Sequence, residues 1–145
     1  MRQILFRAKR ADNGEWAEGC FRYVFAPLGG DDRLVICPGR CHESDGWTDT
    51  GEAVVVESTV GQFIGQRDKD GMPIFEADIV DTSDGLRGVI LWDDGRACFV
   101  TKPCRRDPYP VLWMARRGKV VGNIHDNPDL YEGGGDARET LKRVR

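Results

Sequence analysis

No apolar run in this chain exceeds the five residues Val111 to Ala115, and Gly, Pro, Asp and Asn interrupt nearly every stretch between such runs. That punctuation is the strongest constraint on the fold. Eighteen glycines and seven prolines are scattered rather than clustered, which favours short β-strands joined by tight turns over long helices. A membrane-spanning helix needs roughly 20 consecutive apolar residues, so none is expected. At 145 residues the chain can bury one core or two small ones.

Ile4 to Lys9 alternates apolar and polar residues, Asp12-Asn13-Gly14 supplies a turn, and Trp16 to Phe25 resumes an extended pattern. The first 26 residues therefore read as a hairpin. From Pro27 to Gly51 the pattern dissolves into an irregular, cysteine-containing stretch with one short strand at Leu34 to Cys37. Ala53 to Val56 reads as a strand, with Thr59 to Gln66 as its continuation, weakened by Gly61 and Gly65. Arg67 to Gly71 is a turn, Met72 to Val80 a further extended segment, and Asp84-Gly85 another turn.

Val89 to Trp92 and Arg96 to Val100, joined by Asp93-Asp94-Gly95, form the clearest hairpin signal. Lys102 to Pro110 reads as a loop. Val111 to Met114 and Val120 to Ile124 are expected to pair as strands around Arg116-Arg117-Gly118. Asn127-Pro128 opens a single helical turn through Leu130. Glu132 to Gly135 reads as a flexible hinge before the tail Asp136 to Arg145, where Asp136 and Glu139 have capping-box spacing.

The formal net charge of −3 argues against a polyanion as the main partner, because nonspecific affinity for nucleic acid comes from phosphate neutralisation. The first residues are basic without an apolar core, so no secretory signal is expected and the protein is placed in the cytoplasm. Five cysteines, an odd number, then read as reduced thiols.

Cys37, Cys41 and His42 are the candidate metal ligands, since thiolates and imidazole suit zinc and Pro38-Gly39 could present the sulfurs. A structural site needs a fourth ligand, from Cys20, Cys98, Cys104 or His125, and no second knuckle has matching spacing; reduced cysteines in an irregular loop are the plainer reading. No cofactor is otherwise implied. Four residues past His42 stands Gly46, so the metalloprotease pattern fails. Nucleophile elbows and phosphate-cradling glycine loops are absent, and no enzyme is expected.

Asp93 with Asp94 reads as turn chemistry, whereas Asp78 with Asp81 invites an acid–base or cation-binding reading. Lys102, Arg105, Arg106, Arg116, Arg117 and Lys119, near Tyr109 and Trp113, would make a cationic surface with aromatic platforms if their two loops lie side by side. That is the candidate nucleic-acid site.

Six segments in order carry a family resemblance: Phe6-Arg7-Ala8, Trp16-Ala17-Glu18-Gly19, Thr59-Val60-Gly61-Gln62, Asp68-Lys69-Asp70-Gly71, Ile74-Phe75-Glu76-Ala77-Asp78-Ile79-Val80, and Val121-Gly122-Asn123-Ile124-His125-Asp126-Asn127-Pro128-Asp129-Leu130. Together, over residues 4–130, they resemble the YopX family of phage and prophage proteins. The resemblance implies a mainly β protein of a bacterial host cell, with an SH3-like barrel in its second half, no established activity and no catalytic residues. Ala77 stands where the family typically has Gly, and Phe63-Ile64-Gly65 where it has a Thr-Gly pair. If that Gly uses positive φ, Ala77 is strained or the turn is changed.

The expected organisation is an N-terminal β region over 1–57, an SH3-like barrel over 58–131 and a flexible tail over 132–145. The function expected is nonenzymatic protein–protein interaction, with self-association into a homo-oligomer and an unknown phage or host protein as partner. Nucleic-acid binding and a zinc-stabilised adaptor are the alternatives.

Overall fold

A computed structural model describes residues 3–25, 30–38, 51–103 and 108–131. The expected hinge and tail, and most of the irregular stretch between Pro27 and Gly51, lie outside the described residues. The fold is mainly β, with antiparallel pairing throughout. The chain divides into two compact units, Met1–Phe63 and Ile64–Arg145.

In the first unit, β1 (Phe6–Lys9) and β2 (Trp16–Val24) form the expected hairpin, closed by the Arg10 N–H donating to the Glu15 carbonyl at 2.8 Å. Then come β3 (Arg33–Cys37) and the two-residue β4 (Ala53–Val54), pairing in the order β4-β3-β2-β1. Glu57–Thr59 is a short 3-10 turn, after which β5 (Gly61–Arg67) begins against β1, Gln62 facing Phe6. Ala8, Leu34, Ile36, Ala53 and Val55 form the buried core. Directly opposed residues share a sheet face, and Ile36 lies opposite both Phe21 and Ala53, so one side of this sheet carries the core. Gly19 makes that possible: a Cβ there would sit 1.9 Å from the Cys37 carbonyl oxygen. Phe6, Phe21, Tyr23 and Phe25 line up as successive ring contacts, with centroids 5.2, 5.8 and 6.4 Å apart. Tyr23 and Phe25 are exposed.

The second unit takes up β5 and turns at 68–71 into β6 (Pro73–Phe75), with Gly71 at φ 84°. There follow β7 (Asp78–Thr82), β8 (Arg87–Asp93), β9 (Cys98–Pro103), β10 (Tyr109–Pro110), helix α1 (Val111–Arg117) and β11 (Gly118–Asn123), with a final 3-10 turn at Pro128–Leu130. The five-stranded sheet has the open order β10-β9-β8-β7-β11, and no pairing among the described residues closes it. Both its faces are buried. Val80 and Ile90 pack with Ile64, Ile74, Met114 and Ala115, while Ile79, Val89 and Leu91 pack with Ala77, Ile124 and Tyr131. Burial on both sides explains why these strands read as continuous apolar runs instead of alternating.

The sequence reading differs from this at several places. Val111 to Met114 is helical, and β11 pairs with β7 instead, Val120 facing Val80. A five-residue apolar run is compatible with either state, and here Val111, Met114 and Ala115, at i, i+3 and i+4, turn one face inward. Arg116 and Arg117 in the last turn suit the negative end of the helix dipole. Met72 to Val80 is broken by a turn at Glu76-Ala77, and the β8–β9 loop covers residues 94–97, with Ala97 at φ 49°. No helix among the described residues is long and apolar enough to cross a membrane.

Candidate binding surface on the helix

The buried carboxylates Asp68 and Asp78 are engaged by backbone amides. Asp68 is almost fully buried, and its Oδ1 accepts from the N–H groups of Asp70 and Met72 at 2.9 and 2.8 Å. Its Oδ2 accepts from the Val120 N–H at 2.9 Å, so one side chain fixes the β5–β6 turn to β11. Asp78 accepts from the Phe75 N–H at 2.8 Å across the Glu76-Ala77 turn, and Asp81 pairs with Arg87 at 2.7 Å. Asp78 and Asp81 thus serve separate partners. Asn123 Oδ1 accepts from the N–H groups of His125 and Asp126 at 3.0 and 2.9 Å. These side chains supply acceptors to turn amides that the strand ladder leaves without one.

Asp93 and Asp94 have the expected turn role: Asp93 accepts from the Arg96 backbone N–H and guanidinium, and Asp94 accepts from Trp92 Nε1 at 2.9 Å. The two Arg96 bonds, side chain first, hold the Asp93 carboxyl below the usual carboxylate range.

Cys37 is buried in β3, and its thiol donates to Glu52 Oε1 at 3.5 Å, the same oxygen that receives Arg22. Cys20 lies directly opposite Cys37 on β2. Cys41 and His42 lie outside the described residues. Among the described residues no three His, Cys, Asp or Glu side chains gather where a metal could be held.

The basic set is divided. Arg105 and Arg106 lie outside the described residues. Lys102 is half-buried on β9 opposite Val89, and Lys119 is exposed on β11 opposite Asp81. Arg116 and Arg117 stand on the exposed side of α1, and there the aromatic residues join them. Met114 and Ala115 anchor the helix by complete burial, which forces Leu112 and Trp113 outward, 41% and 38% exposed. The Arg117 guanidinium lies over the Trp113 ring, 5.0 Å from its centroid, and Tyr109 meets that ring edge-on at 6.2 Å. Arg116 makes no ion pair with any described residue.

Pro110, Leu112, Trp113, Arg116 and Arg117 enclose a shallow hollow of about 370 Å³, whose wall is mostly carbon. Its size falls at the low end of small-ligand sites, roughly 300–1,000 Å³. The sequence brought Trp113, Arg116 and Arg117 together, but it missed Pro110 and Leu112. The signal was the i, i+3, i+4 spacing within α1, hidden by reading the run as a strand.

The family model described as YopX protein matches residues 5–132. The crystal structure of protein EF1440 from Enterococcus faecalis is similar in fold, with a TM-score of 0.51 and 23% sequence identity, covering 91% of this chain and 100% of that one. No curated protein matches.

Proposed function

Because this chain belongs to the YopX family, we propose that it is a nonenzymatic protein-binding protein of phage or prophage origin, working in the host cytoplasm, whose contact surface is the exposed side of α1. The observation that carries this is the pairing of two exposed apolar side chains, Leu112 and Trp113, with two arginines around one hollow. The deeply placed acids Asp68 and Asp78, by contrast, accept from backbone amides.

Self-association belongs to the same proposal. The exposed rings of Tyr23 and Phe25, continuous with Phe21, are an apolar strip that a second copy would cover. An SH3-like arrangement of the second unit is also proposed, supported by its five short antiparallel strands.

A photoreactive residue placed at position 112 in cells tests the contact surface. Protein adducts should form there and not at position 12, whose side chain is exposed in the β1–β2 turn. Equal yields at the two positions would remove α1 as the contact surface. Light scattering tests self-association, and the mass of one chain at high concentration removes that part.

Single-stranded nucleic acid on the same surface is a second reading, favoured by the stacking of Arg117 on Trp113. A zinc-stabilised adaptor is a third, favoured by Cys20 standing opposite Cys37. Elemental analysis that finds no zinc in the purified protein removes it.

A further inference from the structure

The hollow on α1 has two chemical characters, and each restricts what can occupy it. Leu112, Trp113 and Pro110 offer carbon surface that water leaves readily. Arg116, without an ion pair among the described residues, and Arg117, spread over the Trp113 ring, present guanidinium groups at its rim. Arginine in this setting is suited to planar carboxylates, which it grips with two parallel N–H donors. Charge complementarity therefore asks for an acidic ligand, and the carbon wall asks for an apolar side chain within it.

We propose that this hollow docks an acidic peptide segment, inserting one apolar or aromatic side chain between Leu112 and Trp113 while neighbouring carboxylates pair with Arg116 and Arg117. This rests on the reading of α1 as a protein-contact surface and names the class of partner. Single-stranded nucleic acid fits less well. Such sites track the backbone over about four or more nucleotides with a run of cations, whereas the hollow offers two arginines. Leu112 and Pro110 also provide no stacking plane for a base.

The test is fluorescence anisotropy on the full chain with three labelled probes. One is a short peptide alternating Asp and Glu with Leu and Phe, the second has Asn and Gln in place of its acids, and the third is a short oligothymidine. The acidic peptide should bind best, and the amide version about tenfold more weakly. Arg116→Glu should weaken the acidic peptide by at least about tenfold, and Leu112→Ser by roughly fivefold, with unchanged circular dichroism because both side chains are exposed.

Oligothymidine binding tighter than the peptide, equal binding of the acidic and amide peptides, or no binding of any probe at low salt would each overturn the proposal. Persistent adducts at position 112 alongside such a result would leave the contact surface standing and reject only the partner class. Loss of those adducts as well would reject both.

Discussion

The two units hold their turns by different means. In the second, buried polar side chains of Asp68, Asp78 and Asn123 reach across the chain to collect backbone N–H groups, and Asp68 alone collects three. The first unit relies on the strand ladder itself, on a close approach at Gly19, on Thr59 Oγ1, which accepts from the Lys9 N–H at 2.9 Å, and, in its exposed β1–β2 turn, on Asn13 Oδ1, which accepts from the Glu15 N–H at 2.9 Å. Its carboxylates sit largely at the surface, Asp12 beside Arg10 and Glu52 beside Arg22. Three of the six segments that carry the family resemblance lie in each unit, and those of the second include Asp68, Asp78 and Asn123, which the backbone requires whatever the protein binds.

Four substitutions probe that contrast. Asp68→Ala should be the most damaging, costing about 4 kcal/mol, because three backbone N–H groups lose one buried, charged acceptor at once. Urea unfolding measures it, and a loss below about 1 kcal/mol would show that water serves those amides as well. Gly19→Ala should follow at about 2–3 kcal/mol, since the added methyl collides with the Cys37 carbonyl and β2 must part from β3. Hydrogen exchange in the first unit should then accelerate before that in the second.

Thr59→Ala should cost only about 1–2 kcal/mol, the hydroxyl's two neutral hydrogen bonds, from the Lys9 N–H and to the Val56 carbonyl, being lost. If it equals Asp68→Ala, the contrast between the units collapses. The smallest effect should be a gain: Ala97→Gly relieves a positive φ at an exposed loop position and should raise the midpoint by about 0.5–1 kcal/mol of stability. Thermal unfolding resolves that sign.

The strands were legible wherever alternation or a turn dipeptide marked them. Trp16 to Val24 and Arg87 to Asp93 lie close to where their residues placed them. Helix α1 was not, because seven residues supply too few periods to separate a helix from a strand, and its identity depends on Met114 and Ala115 finding the core. Ala77 is a different case. The departure from the family Gly raised the choice between strain and a changed turn, and the residue keeps φ 71° with its methyl group buried. Strain is accepted there because the methyl contributes to the core and the Asp78 carboxylate holds the turn from the other side.

The basic surface was half legible. Charge and aromatic content are visible in composition, but which of Lys102, Arg116, Arg117 and Lys119 stand beside Trp113 depends on α1 being a helix. Pro110 and Leu112 carried no signal as ligand contacts, since apolar residues are ordinarily core.

The bond from Val120 to Asp68 joins residues 52 positions apart. On a ribosome that releases the chain from its N-terminus, Asp68 and its neighbouring amides emerge long before the strand that completes their set. The second unit therefore cannot lock as it is made, and a nascent chain halted before Val120 should be cut by protease at the 68–71 turn faster than the finished protein, in which Asp68 holds that turn to β11.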